Sequence, residues 1–380
     1  MQMDGKQKIL IVTGEASGDR HTAEMVKELQ VLNPNLEFYG IGGDALQERG
    51  MHLLFHIRQM AFLGFVEVVK HLPFIWQVYR RLKNWMKTEN SQAVILVDYP
   101  GFNLRLAKLA KNLGIPVIYY ISPQLWAWGE KRVEKIRRYV DLLLVIFQFE
   151  VEFYRKHGIT AHFVGHPLVE EVDIRLSEEE FRRKHHLDPE KPIVALLPGS
   201  RSLEVKSLLP PMVEASLQFA ESDKVEWCVG VASSIDKRLF SEMLGKTNHL
   251  RLIRNDTHHL LRYAHVALLA SGTATLETGL LQTPMVVLYK ILPLTYLIGK
   301  RMIKIPYISL ANIVLGKKVV PEFIQDQVTA ANILAELNRY FYDADHYQSI
   351  VKELAKIREI LGPPGASHKA ARKIMDFLTT

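Results

Sequence analysis

A chain of 380 residues exceeds what one hydrophobic core usually supports, so two domains are expected. Hydrophobic residues make up 48% and charged residues 23%, without a low-complexity tract, which excludes a disordered or fibrous chain. The formal net charge of +7 suits an anionic partner without choosing among nucleic acid, acidic lipid and a phosphorylated substrate, and the single cysteine, Cys228, excludes a disulfide framework and a cysteine-based metal site.

Lys6 and Lys8 lead almost at once into Ile9-Leu10-Ile11-Val12, an apolar run too short for a signal peptide. The runs 8–13, 36–39, 93–97, 117–120, 142–146 and 161–164 are mostly continuous rather than alternating, as parallel strands covered on both faces require. Helix-like stretches separate them. The charged segment 170–191, bracketed by Pro167 and Pro192, reads as a linker. A second series follows at 193–197, 225–231, 250–253, 266–269 and 285–288, with Cys228 inside one of its apolar strands. Beyond about residue 327 the pattern is helical, broken by Gly362-Pro363-Pro364-Gly365, and a last helix over 367–378 can return to the first domain. The expected architecture is therefore α/β: two doubly wound, Rossmann-like domains over 1–168 and 192–360 with a cleft between them. A linker region spans 169–191, and a C-terminal helix within 361–380 packs on the first domain. Ligands belong at the carboxyl ends of the strands.

Several turns fall at those ends. Gly14-Glu15-Ala16-Ser17-Gly18-Asp19 follows the first strand with small residues that let a ligand approach the backbone, but its spacing is not the dinucleotide fingerprint. Gly40-Ile41-Gly42-Gly43 reads as a plain turn. Asp98, in Val97-Asp98-Tyr99-Pro100-Gly101-Phe102-Asn103, stands where a carboxylate can take a proton from a hydroxyl nucleophile, although a lone Asp at a strand end is more often a turn or cap residue. Ser122-Pro123-Gln124-Leu125-Trp126-Ala127-Trp128 offers indoles that suit either core packing or a sugar site. His166, in Gly165-His166-Pro167, fits a ligand contact or a hinge. In Leu197-Pro198-Gly199-Ser200-Arg201 the cation is misplaced at a helix start unless an anion joins it, so Arg201 is a candidate for a pyrophosphate. The turn Ser271-Gly272-Thr273-Ala274-Thr275-Leu276-Glu277 leads from a strand into a helix, with free N–H groups for a phosphate and an acid one turn later. It lacks the lysine of an ATP-hydrolysing loop, and an ordinary capped helix start fits it equally well.

Two segments invite apolar partners. From 60 to 82, Phe62, Leu63, Phe65, Val66, Val68, Val69, Leu72, Phe74, Ile75 and Trp76 precede Arg80, Arg81 and Lys83. Glu67, Lys70 and His71 interrupt the run, which falls short of the roughly 20 consecutive apolar residues of a spanning helix. An interfacial helix on an anionic membrane is expected, with core packing or a homodimer contact as the alternative. The stretch 288–308 mixes aliphatic residues and tyrosines with Lys290, Lys300, Arg301 and Lys304 in a similar way.

Taken in order, the motifs 14–19, 98–103, 122–128, 165–167, 197–201 and 271–277 resemble those of the lipid-A-disaccharide synthase family, inverting glycosyltransferases of the two-domain GT-B type. The resemblance implies transfer from a UDP-linked 2,3-diacylglucosamine to 2,3-diacylglucosamine 1-phosphate with release of UDP, on the cytoplasmic face of the inner membrane of a Gram-negative bacterium. No nucleic acid takes part. It makes Asp98 the general base on the acceptor 6-hydroxyl. Gly199, Ser200 and Arg201 and the turn of Ser271, Gly272, Thr273, Ala274 and Thr275 become the diphosphate seat. Glu277 becomes the ribose ligand, and Asn312, Glu322 and Gln325 further donor-side candidates. Ser17, Gly18, Asp19, Asn103, Gln124, Trp126 and His166 would face the acceptor. The first domain thus becomes the acceptor and membrane side, the second the UDP-sugar side. No metal or other cofactor is implied, and Asp343-Ala344-Asp345 lies in a helical stretch rather than at a strand end. The chain departs from the family pattern at Gly101, where a second Asp is common, at Thr22, where Gly is common, and at Gly129, where a basic residue is common. Lys131 or Arg132 would then meet the acceptor phosphate.

Overall fold

A computed structural model describes residues 6–60, 71–127, 129–232, 235–244, 247, 249–292, 296 and 305–379. The chain divides into two compact units, Met1–Glu170 with Leu361–Thr380, and Glu171–Arg301 with Ile305–Ile360.

The first unit runs β1 (Gln7–Val12), α1 (Ala16–Leu32), β2 (Leu36–Gly42), α2 (Asp44–Glu48), β3 (His52–His56), α3 (Leu72–Thr88), β4 (Ala93–Val97), α4 (Pro100–Asn112), β5 (Val117–Tyr120), α5 (Val133–Tyr139), β6 (Leu142–Val145), α6 (Gln148–Lys156), β7 (Ala161–Phe163) and α7 (Leu168–Glu171). Its seven strands lie in the order β3-β2-β1-β4-β5-β6-β7, all parallel. Every residue of β4 is buried, because both faces of a parallel sheet are covered and the apolar run has no wet side. Gly40-Ile41-Gly42 is not a turn but the end of β2. A Cβ on Gly40, whose φ is +140°, would stand 2.0 Å from the Ile11 carbonyl oxygen, so glycine is required for β2 to lie against β1.

The second unit contains α8 (Glu178–His185), β8 (Ile193–Leu197), α9 (Ser202–Gln218), β9 (Glu226–Val231), α10 (Lys237–Leu244), β10 (Leu250–Arg254), α11 (Thr257–Tyr263), β11 (Ala264–Ala270), α12 (Thr273–Leu280), β12 (Met285–Tyr289), α13 (Leu310–Leu315), β13 (Glu322–Ile324), α14 (Ala330–Tyr342) and most of α15 (Ala344–Leu361). Its six-stranded parallel sheet has the order β10-β9-β8-β11-β12-β13. The segment 169–191 is not an open linker. It carries α8, whose capping box at Ser177 and Glu180 starts the helix and whose buried Phe181 stacks on His259 and Tyr263 of the second unit.

The last helix, α16 (Ala366–Thr379), packs on α1. Glu170 closes its N-terminus: Oε1 accepts from the N–H groups of Gly365 at 2.8 Å and Ser367 at 3.3 Å, and from that of Ala366. His368 Nδ1 lies 2.7 Å from Glu28 Oε2 on α1.

Candidate active site

In each sheet the strand order reverses between the first strand of the unit and a later one, β1 and β4 in the first, β8 and β11 in the second. A doubly wound sheet opens a crevice for ligands at that point, beyond the carboxyl ends of those two strands.

At the first reversal the chain leaves β4 through two successive left-handed residues, Asp98 at φ 44° and Tyr99 at φ 49°, before Pro100 opens α4. Left-handed backbone on residues with a Cβ costs roughly 1–3 kcal/mol each and persists only where the surroundings enforce it. Here Asn103 enforces it. Its buried amide Nδ2 reaches the carbonyl oxygens of Val12, Val97 and Asp98 at 3.3, 3.1 and 2.8 Å, and the Tyr119 hydroxyl donates to the Asp98 carbonyl at 2.6 Å. Gly14, at the end of β1, leaves room for the Tyr99 ring, since a Cβ there would stand 2.3 Å from Tyr99 Cγ. It serves the Asp98 turn rather than an approaching ligand.

Asp98 as a residue is half-buried, and its carboxyl points into the buried part. Burial, reinforced by the negative charge of Glu15, pushes its pKa up to about 7 against the favourable Tyr99 N–H. Ser17 and Gly18 lie at the start of α1, where a Cβ on Gly18 would meet the Val97 side chain at an ordinary 3.5 Å. A second buried acid, Glu150 at the start of α6, has its pKa pushed up to about 8 by burial. It accepts from the Trp126 indole at 3.2 Å and the N–H groups of Phe147 at 3.1 Å and Ile146 at 3.3 Å. Trp126, edge-on to Phe149 at 5.0 Å, is thereby held on the same sheet edge, with half-buried Gln124 in its loop.

Three of the expected acceptor residues bond within the fold. Asp19 is buried and accepts from the N–H groups of Gly43 at 2.5 Å and Ala45 at 3.0 Å, capping α2. Asn103 is the clamp just described. His166 is buried against Phe147, its Nδ1 accepts from the Leu168 N–H at 3.2 Å, and burial, with the neighbouring His21, holds its pKa well below the usual range.

At the second reversal, Gly199 (φ +125°), Ser200 and Arg201 bridge β8 to α9. The anion expected beside Arg201 is supplied within the chain: Glu204 accepts from Arg201 Nη1 and from the Ser200 N–H, both at 3.1 Å. Ser271, Gly272, Thr273 and Ala274 turn from β11 into α12, where the first N–H groups of a helix lack intrahelical partners. Thr275 is buried and structural: its hydroxyl donates to the Gly272 carbonyl at 2.8 Å and accepts from the Leu310 N–H at 3.1 Å. Glu277 is buried on α12, with His258 Nε2 3.9 Å from its carboxylate.

Asn312, Glu322 and Gln325 hold backbone in place. Glu322 takes the N–H groups of Ile308 at 3.0 Å and Ser309 at 2.9 Å, the Ser309 hydroxyl at 2.7 Å and the Asn312 amide at 2.8 Å. Asn312 is fully buried, its remaining bonds going to Val319 and Val320. Gln325 brackets Ile291 through both its N–H and its carbonyl. This scaffold matters because the Ser271 hydroxyl donates to the Ile308 carbonyl at 2.8 Å. Glu322 therefore fixes the loop on which the Ser271 turn rests.

A family model described as lipid-A-disaccharide synthetase matches residues 9–373. The chain belongs to that family. The lipid-A-disaccharide synthase of Syntrophus aciditrophicus is 43% identical over 366 residues, covering 96% of both chains. That of Geobacter metallireducens is 40% identical over 374 residues, 98% of this chain and 97% of its own. Among solved structures, the S. aureus MnaA–UDP co-structure superposes with a TM-score of 0.67 at 13% identity, over 98% of this chain and 97% of its own. The calicheamicin glycosyltransferase CalG4 gives 0.63 at 14%, over 99% of each. As a lipid-A-disaccharide synthetase family member the chain is a lipid A glycosyltransferase with the GT-B fold.

Of the apolar segment, Phe62, Leu63, Phe65, Val66 and Val69 lie outside the described residues, as does Trp128. On α3, Phe74 and Ile75 are half-buried, Phe74 edge-on to Phe55 at 6.1 Å. Leu72 and Trp76 are exposed, and the Arg80 guanidinium lies 4.5 Å from the Trp76 ring centre. No helix among the described residues is long and apolar enough to cross a membrane. Sequence reasoning passed over Glu150 and Glu204. Both stand three residues into a helix start, and that position is the signal that finds them.

Proposed function

We propose that the chain transfers 2,3-diacylglucosamine from its UDP derivative to the 6-hydroxyl of 2,3-diacylglucosamine 1-phosphate, inverting the anomeric centre. The acceptor oxygen bonds to the donor C1, the C1–O bond to the diphosphate breaks, the hydroxyl proton passes to Asp98, and UDP leaves with the bonding pair. The observation that carries this reading is Asp98, a strained, mostly buried carboxyl whose pKa stands at about 7 at the crevice of the first sheet. In the second unit the first N–H groups of α12 and the Arg201 guanidinium supply the charge that a departing diphosphate needs, and Glu277 is the ribose ligand. The UDP in the MnaA co-structure supports the donor class. No metal has a step in this reaction, so a chelator leaves turnover unchanged. The exposed Leu72 and Trp76 beside Arg80 support peripheral attachment to a membrane surface, in this reading the cytoplasmic face of the inner membrane.

The test is incubation with both lipid sugars and mass analysis. The outcome expected is a disaccharide 1-phosphate and UDP in equal amounts. Asp98→Asn loses disaccharide formation by at least about a hundredfold while still binding UDP. Near-normal turnover in that variant removes Asp98 as base. Interconversion of the donor without acceptor indicates a UDP-sugar epimerase instead.

A further inference from the structure

The seat at the start of α9 is already filled by the protein's own carboxylate. Arg201 is the N-cap of α9, and Glu204 lies three residues on, in its first turn. One carboxylate oxygen takes the Ser200 N–H and the other takes Arg201 Nη1, a backbone donor and a guanidinium donor joined by a single anion. This is the donor pair that a phosphate would use. Gly199 conforms to the arrangement: a Cβ there would stand 2.4 Å from Glu204 Oε2, and its φ of +125° disfavours any other residue. Both charged side chains keep partial access to solvent, Arg201 at 38% and Glu204 at 23%. The pair can therefore open without uncovering a buried charge. From β12, next to β11 in the sheet, the Tyr289 phenol is raised by burial, while Glu204 and Arg201 act on it in opposite directions, which places both charges near that strand end.

We propose that Glu204 is a placeholder anion, a positioning residue that keeps Arg201 and the Ser200 N–H in register for a nucleoside diphosphate, yields them when the diphosphate arrives and reclaims them when it leaves. The inference rests on the UDP-dependent reading above. Its physical content is competition: two anions cannot share one guanidinium and one N–H at full strength, so part of the diphosphate's binding energy is spent on displacing Glu204. A glutamine at this position retains the shape and one acceptor oxygen but removes the competing charge.

Titration calorimetry on the full-length chain, with UDP and with uridine as ligands, tests this. Glu204→Gln is expected to bind UDP about three- to fivefold more tightly, the range of a partly exposed ion pair, with uridine affinity unchanged because uridine has no diphosphate. Glu204→Asp retains the charge and shows no tightening. Arg201→Ala weakens UDP, and in that background Glu204→Gln no longer tightens it. Equal or weaker UDP binding by Glu204→Gln overturns the proposal, and so does a parallel loss of uridine binding, which would make Glu204 a structural cap only. If the unaltered chain does not bind UDP at all, the failure lies with the proposed donor.

Discussion

Asp98 carries two opposed demands. A base must be ionised to accept a proton, and the surroundings of Asp98 resist ionisation until pH reaches about 7. Disaccharide formation is therefore expected to rise between pH 6 and 8 with a midpoint near 7, read from kcat/KM against pH; a flat profile over that range speaks against the assignment. Stability runs the other way. The folded carboxyl holds its proton more tightly than the unfolded one, so the unfolded chain binds fewer protons between about pH 4 and 7, and stability falls as pH rises through that window. Asp98→Asn, which cannot ionise, is expected to melt higher than the unaltered protein at pH 8, with the difference narrowing as pH falls toward 4. At this scale the chain was legible where the signal is chemical type at a strand end: Asp98, Arg201 and the Ser271 turn stand at the two sheet reversals. Asp19, Asn103, Asn312 and Glu322 have the same chemistry in sequence, yet most of their partners are backbone N–H and carbonyl groups, many of them distant along the chain. No local pattern announces such a partner.

Helix α3 shows how an element divides its duties. Val78, Leu82, Trp85 and Met86 face the core, while Leu72 and Trp76 remain exposed one turn apart, with Arg80 a further turn along. That alignment puts apolar surface and a cation on one side, the pattern of an interfacial helix. Replacing Leu72 and Trp76 by serine should reduce the partition constant onto phosphatidylglycerol-containing vesicles by at least about a hundredfold, since each side chain contributes about 1.5–3 kcal/mol when removed from water. Turnover of short-chain, soluble substrates should persist. Unchanged sedimentation would remove α3 from the membrane contact. Among elements, the buried strands were readable from their continuous apolar runs, as in Ala93–Val97 and Ile193–Leu197. Of the four edge strands, Ala161–Phe163 and Leu250–Arg254 were readable too, but His52–His56 and Glu322–Ile324 were not. An edge strand has one neighbour and one open side, so it can be short and polar, and only pairing with β2 or β12 defines it.

On the scale of the whole molecule, the first unit is built from both ends of the chain, and Glu170 is the fastening. Three N–H groups at the start of α16 converge on one carboxylate oxygen, so Glu170→Ala leaves donors without their cap at a cost of about 1–2 kcal/mol. Amide exchange over 366–379 is expected to quicken by roughly five- to thirtyfold, while that of β8 and β11 stays as it was. Equal protection in both proteins would show that packing on α1 alone holds the helix.

The same discontinuity orders the protein's birth. Residues 171–360 leave the ribosome as an almost complete second unit, while the first unit waits for the helix that follows them, within 361–380. A chain cut short anywhere before residue 361 thus has α1 without the helix that packs on it, however well its second sheet has formed. Limited proteolysis is then expected to cut such a chain within α1 sooner than it cuts one that includes 361–380, far in sequence from the truncation.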